Sequence, residues 1–351
     1  MKRAEGSFET LSRHEVPKEF REEHVLMGFR PVNRPLTYYL CTMFTMHNEV
    51  VNVWTHIIPF GLMLRVFLMI VKEDQELTKQ NLSKDDQDST SVGTGTTTES
   101  PNRTFYLFMC TVLAYLLVSA LAHLMHSASK SVHYLAFYCD FATIAFYSFL
   151  SAVAFYVYSA TPAFFARFNW CYVYVAWTLA LSIPYACCFA KFKFTRPYPP
   201  EKKLYILGTI GTLYLWNIYP VVDRIANGDL QDNTYHYLHL AAFLSAVFFY
   251  SSGWPQKSFP GLCDHFFHGH QIFHVLIAIT TYYQVLAIRY DMKNYVNDDS
   301  NSDKAKGSGN QRTDCWSEVS SLFAIHALFS LLVIRHFYKK IQKVLAEQKM
   351  Q

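Results

Sequence analysis

Eight apolar stretches of about 20 residues govern what this chain can become. They are Val51–Val71, Phe105–His126, Tyr134–Tyr158, Trp170–Phe189, Leu204–Val222, Tyr235–Gly253, His270–Arg289 and Trp316–Tyr338. At 1.5 Å of rise per residue, each matches the roughly 30 Å of hydrocarbon in a bilayer. Backbone facing lipid must satisfy its own N–H and C=O groups, so each run reads as a helix. The chain is therefore expected to be an all-α, polytopic membrane bundle of seven helices plus an eighth. Only 17% of the residues are charged, against roughly a quarter in soluble domains. Trp54, Tyr106, Trp170, Trp216, Trp254 and Trp316 fall near span ends, where aromatic belts sit at the headgroups.

The distribution of basic residues orients the bundle. With the amino terminus in the cytosol, 19 Lys and Arg lie inside and 11 outside, the asymmetry that the positive-inside rule requires. The short segment from Lys191 to Lys203 carries much of this bias. Both Asn-x-Ser/Thr sequons, at Asn81 and Asn102, then fall in the first outer loop and become candidate glycosylation sites. An ordinary seven-helix G-protein receptor is disfavoured, because its amino terminus should be outside. A net charge of +4 without a basic, aromatic-interleaved run argues against nucleic acid as a partner.

The expected organisation is a cytosolic amino-terminal segment (1–50), a transmembrane domain (51–338) and a cytosolic tail (339–351) that frays as a helix. Leu36, Tyr39, Leu40, Met43 and Phe44 recur at helical spacing, predicting a helix over Leu36–His47 that lies flat on the inner leaflet. The polar stretches Lys72–Arg103 and Asn297–Thr313 read as disordered. Pro184 and Pro220 predict kinks in the fourth and fifth spans, opening space among aromatics such as Phe146, Tyr147, Phe155, Tyr172 and Tyr214.

Ionisable groups inside spans are costly and point to function. His123, Asp140, His270 and His274 all fall at the cytosolic end of their spans, and Ser119 lies one turn deeper than His123. His270 and His274 share a helix face, so they can hold one metal together, and a histidine from another helix would complete a three-ligand shell. The same residues can instead bridge helices by hydrogen bonds. Asn48, Asn52 and His56 share a face at the start of span one, where they read as a capped helix start that holds a neighbour, with a ligand contact as the alternative. His126, His133, His265 and His268 read as solvated.

Three segments resemble the progestin and adiponectin-type receptor family: HNEVVNVWTH at His47–His56, SALAHLMHS through the Asp of FYCDF at Ser119–Asp140, and PGLCDHFFHGHQIFHVL at Pro260–Leu276. The eighth span and the GHQIFH wording look most like the membrane progestin receptor branch. The resemblance implies a ring of helices around a lipid-accessible cavity. It also implies a Zn2+ site near the cytosolic face, held by His123, His270 and His274, with Asp140 and Ser119 beside it. The function it implies is a plasma-membrane receptor for a progestin steroid that signals non-genomically through an inhibitory G protein. The same residue set resembles alkaline ceramidases. That implies an alternative, hydrolysis of the amide of a ceramide-like lipid by zinc-activated water, with Asp140 and Ser119 as catalytic residues.

Overall fold

The computed structural model describes residues 9–85, 103–194, 200–228, 232–301 and 316–350. Among the described residues eleven α-helices carry the fold, and no strand is present. In chain order they are α1 (Leu36–Thr42), α2 (Val50–Asp85), α3 (Arg103–Leu124), α4 (Lys130–Ser159), α5 (Pro162–Phe168) and α6 (Cys171–Lys193). There follow α7 (Pro200–Asn217), α8 (Tyr219–Ala226), α9 (Thr234–Ser252), α10 (Gly269–Asn301) and α11 (Trp316–Met350).

Helices stand at all eight expected spans, and the protein is a polytopic helical membrane protein. Six of them, α2, α3, α4, α6, α10 and α11, are long and apolar enough to cross by length and composition. The other two are diluted: α7 opens on Glu201, Lys202 and Lys203, and α9 on Thr234, His236 and His239. The central element is α4, which packs against α3, α6, α7, α8, α10 and α11. Its small and aromatic residues Ala145, Phe149, Ala152, Ala154, Phe155 and Tyr156 are fully buried. Its start is fixed by Ser129, whose hydroxyl accepts from Val132 N at 3.2 Å and satisfies one of the free donors of the first turn.

The fifth expected span is broken where a kink was expected. Pro220 has no N–H for the carbonyl of Trp216, four residues earlier. Helix α7 ends at Asn217 and α8 starts afresh at Tyr219. The Tyr172 hydroxyl from α6 donates to Trp216 O and lies equally near Asn217 O, both at 3.1 Å. Helix α6, by contrast, continues through Pro184 to Lys193.

Several polar stretches are more ordered than expected. Helix α2 runs out to Asp85, because Glu73 pairs with Arg289 and Lys293 at 3.2 Å and Asp74 accepts from Tyr106 at 2.6 Å and from Arg289 at 3.2 Å. Residues 86–102 of the stretch expected to be disordered lie outside the described residues. Asn81 lies on this helical extension, and Asn102 falls outside the described residues. Likewise α10 includes Asn297–Asn301. The carboxyl end does not fray after Lys339: α11 continues to Met350, with Ile341 buried and Gln342 donating to Ser131 at 2.9 Å. The amphipathic helix before span one is shorter than expected. Helix α1 ends at Thr42, burying Tyr39 while Leu36, Leu40, Phe44 and Met46 stay exposed along the segment.

Beneath the bundle the amino-terminal segment folds into a small cover. Val16, Val25 and Phe29 form its core, and Phe20 meets the rings of His126 and His133 edge-on, with centroids 5.9 and 5.1 Å away. This cover removes His126, His133 and His268 from solvent, contrary to expectation; His268 is fully buried, with its ring 3.2 Å from Asn48 O.

Candidate metal centre and cavity

Four histidines converge at one end of the bundle. His56 lies in the second turn of α2, His123 one residue before the end of α3, and His270 and His274 in the first two turns of α10. Gly269 makes that start of α10 possible: a side chain there would come within 2.6 Å of Trp254 O and 2.9 Å of Phe249 O. Its N–H donates to Gln256 Oε1 at 2.7 Å. The tightest set is His56, His123 and His274, all buried, with one ring nitrogen from each within 4.8 Å of the others. The His270 ring centroid lies 4.4 Å from that of His274 and 5.4 Å from that of His123. Of the two sequence readings of the Asn48, Asn52 and His56 face, packing or ligand contact, the structure favours the second for His56, which lies inside the cluster.

A carboxylate accepts hydrogen bonds but cannot donate them, so the contact between His123 Nδ1 and Glu49 Oε2 at 2.8 Å fixes the tautomer. Nδ1 carries the proton, and in the neutral ring Nε2 keeps its lone pair for a metal. Asn52 holds the same Glu49 oxygen at 2.8 Å. Ser119 Oγ lies 3.1 Å from His56 Nε2. His56 Nδ1, His274 Nδ1 and Asp140 Oδ1 are buried with no hydrogen-bond partner among the described residues. Unpaired imidazole nitrogens beside a carboxylate are a donor set that suits a divalent zinc ion with an open position. The sequence-predicted residues Ser119, His123, Asp140, His270 and His274 all line one cavity, together with His56 and Glu49.

That cavity has a volume of about 240 Å³. Its histidine end is bounded by Glu22, Lys191, Lys202 and Lys203, its walls by Phe137, Phe141, Ile144, Ile210, Phe243 and Phe273. Its deep end is bounded by Tyr147, Tyr214, Asn217, Thr281 and Gln284. From His270 to Gln284 the lining follows α10, a rise of about 20 Å at helical spacing. The aromatics Tyr147 and Tyr214 line it as expected, whereas Phe155 and Tyr172 are packed in the core.

The profile of the family described as Haemolysin-III related matches residues 44–285, a span that contains all four histidines and Asp140. The chain belongs to that family. Several proteins similar to this chain carry receptor names. Membrane progestin receptor beta of Homo sapiens is 34% identical over 289 residues, 80% of this chain and 76% of the relative. The Sus scrofa protein of the same name is 32% identical over 290 residues, 81% and 76% of the two chains. Membrane progestin receptor alpha-B of Danio rerio is 28% identical over 347 residues, 97% and 90%. These names agree with the branch suggested by the sequence motifs.

Proposed function

We propose that this chain is a plasma-membrane receptor for a progestin-type steroid, with the amino terminus in the cytosol. The observation that carries the reading is the elongated cavity with aromatic and aliphatic walls and polar groups at both ends, which suits a rigid and weakly polar lipid. The similarity to proteins named membrane progestin receptors supplies the steroid class. The histidines at the inner end would hold one Zn2+, drawn from His56, His123, His270 and His274, and the bound ion would polarise an oxygen or water placed against it. In this reading Glu49 holds His123 in its metal-binding tautomer, Asp140 orients whatever occupies the open position, and Ser119 fixes His56. Occupation of the cavity shifts the inner ends of α3 and α10, and an inhibitory G protein reads that inner surface.

The test is saturation binding of radiolabelled progesterone to plasma membranes of cells expressing the full chain, beside membranes from untransfected cells. Saturable binding displaced by unlabelled steroid is expected. Binding no greater than in the control membranes would refute the receptor reading.

A further inference from the structure

The deep end of the cavity carries information about the ligand that the histidine end does not. Its hydroxyls and amides are largely satisfied by one another. Tyr115 is 2.6 Å from Thr281 Oγ1, Tyr147 donates to Gln284 Oε1, and Tyr214 lies 2.7 Å from His239 Nδ1. Asn217 differs. It is the last residue of α7, set at the break that Pro220 enforces, and it is only 2% exposed. Its Nδ2 donates to Ser148 O on α4 at 2.9 Å. Only the amide nitrogen can make that bond, so the orientation of the side chain is settled and Oδ1 is the remaining end. Asn217 Oδ1 is buried and has no hydrogen-bond partner among the described residues. Asn217 also lines the cavity.

A buried acceptor of this kind is costly unless a donor reaches it. A ketone cannot serve, because it brings only another acceptor; a hydroxyl can, because it brings a proton. We propose that Asn217 Oδ1 accepts a hydrogen bond from the ligand, and that the preferred occupant is a hydroxylated steroid whose hydroxyl-bearing end lies deep in the bundle. The proposal rests on the steroid reading above and adds the polarity and direction of the bound molecule. The oxygen at the opposite end then lies toward the histidines, since Asn217 and the histidine cluster bound opposite ends of the same space.

The experiment is competition binding on membranes holding the full chain, using four steroids on one pregnane skeleton that carry a ketone or a hydroxyl at carbon 3 and at carbon 20. In the wild type, one of the two ketone-to-hydroxyl changes should raise affinity about tenfold, the scale of one satisfied buried hydrogen bond. Asn217→Leu should remove that preference while still binding the diketone, and Asn217→Asp, which keeps an acceptor, should retain it. If the wild type binds steroid but ranks each hydroxyl with or below its ketone, the anchor is wrong and the receptor reading stands. A hydroxyl preference that persists in Asn217→Leu overturns the anchor as well. If none of the four binds, both fall together. The wild-type ranking decides the matter even where a variant fails to reach the membrane.

Discussion

Replacing Asp291 with Ala tests how much of the fold depends on a buried ion network far from the histidines. Asp291 sits on α10 with no exposed side-chain surface, 3.2 Å from Arg224 Nη1 of α8 and 3.0 Å from His236 Nε2 of α9, and the Ser159 hydroxyl of α4 donates to it. Four elements therefore meet at one carboxylate. Arg224 is 6% exposed and also donates to Asn233 Oδ1 at 2.7 Å, so removing the carboxylate takes the paired anion from a largely buried cation. Removing one partner of such a pair costs about 3–5 kcal/mol, mostly as the penalty for the charge left behind. At about 2 °C per kcal/mol for a chain of this size, the melting temperature should fall by roughly 6–10 °C. The assay is thermal unfolding of detergent-purified protein, followed by loss of the monodisperse peak on gel filtration. The double variant Asp291→Leu/Arg224→Met removes both charges and should recover most of the loss. A single variant that melts within 2 °C of wild type, or a double variant no better than the single, would refute this account.

Three further outcomes are expected. Purified protein should hold about one zinc per chain, with His274→Ala lowering that content and Glu49→Gln weakening retention against a chelator by about 10- to 100-fold; unchanged zinc in a His270→Ala/His274→Ala double variant would refute the site. His47 lies before α2 and is held down to about 3, first by burial and then by the charge on Arg30. Its folded value lies below the ordinary 6.5, so its contribution is complete above pH 6.5 and is lost as the pH falls toward about 3. The gap in melting temperature between wild type and His47→Gln should therefore narrow from pH 7 to pH 5, and a gap that widens would reverse the sign. Sugar should be added at Asn81 or Asn102; if neither takes it while a sequon engineered within residues 195–201 does, the orientation is inverted.

Much of the bundle is legible in the sequence because lipid imposes one local rule, the self-satisfied helix, on every span. The aligned depth of His123, Asp140, His270 and His274 follows from the same rule, since each position is counted from a span end. Properties that depend on helix neighbours are not legible. Asn48, Asn52 and His56 visibly share a face, but whether that face meets α3 or lipid is decided by packing between distant segments. The same is true of Glu73 and Asp74, whose partners Arg289 and Lys293 lie more than 200 residues away and extend α2 by almost four turns beyond its expected end. His126, His133 and His268 read as solvated because a local inspection cannot see the cover that buries them. The available signal was the set Val16, Phe20, Val25 and Phe29, apolar residues that a free cytosolic tail would have no use for.

That cover contains one side chain whose placement bears on the histidine cluster. Arg30 is fully buried. Burial draws its pKa down to about 10, which leaves it charged at neutral pH. It donates to His123 O and Leu124 O, both at 2.8 Å, and to Thr42 at 3.0 Å. A cation there also suits the negative end of the α3 dipole. Four residues earlier, the N–H groups of Leu26 and Met27 are held by Asp264, in the loop that leads into α10. One short stretch of chain is thus riveted at one end to the helix bearing His123 and at the other to the approach to His270 and His274. A change in the spacing of those histidines must pull on the rivets. The amino-terminal cover is then a strain gauge mounted on the histidine cluster, tied to both of the helices whose spacing sets it.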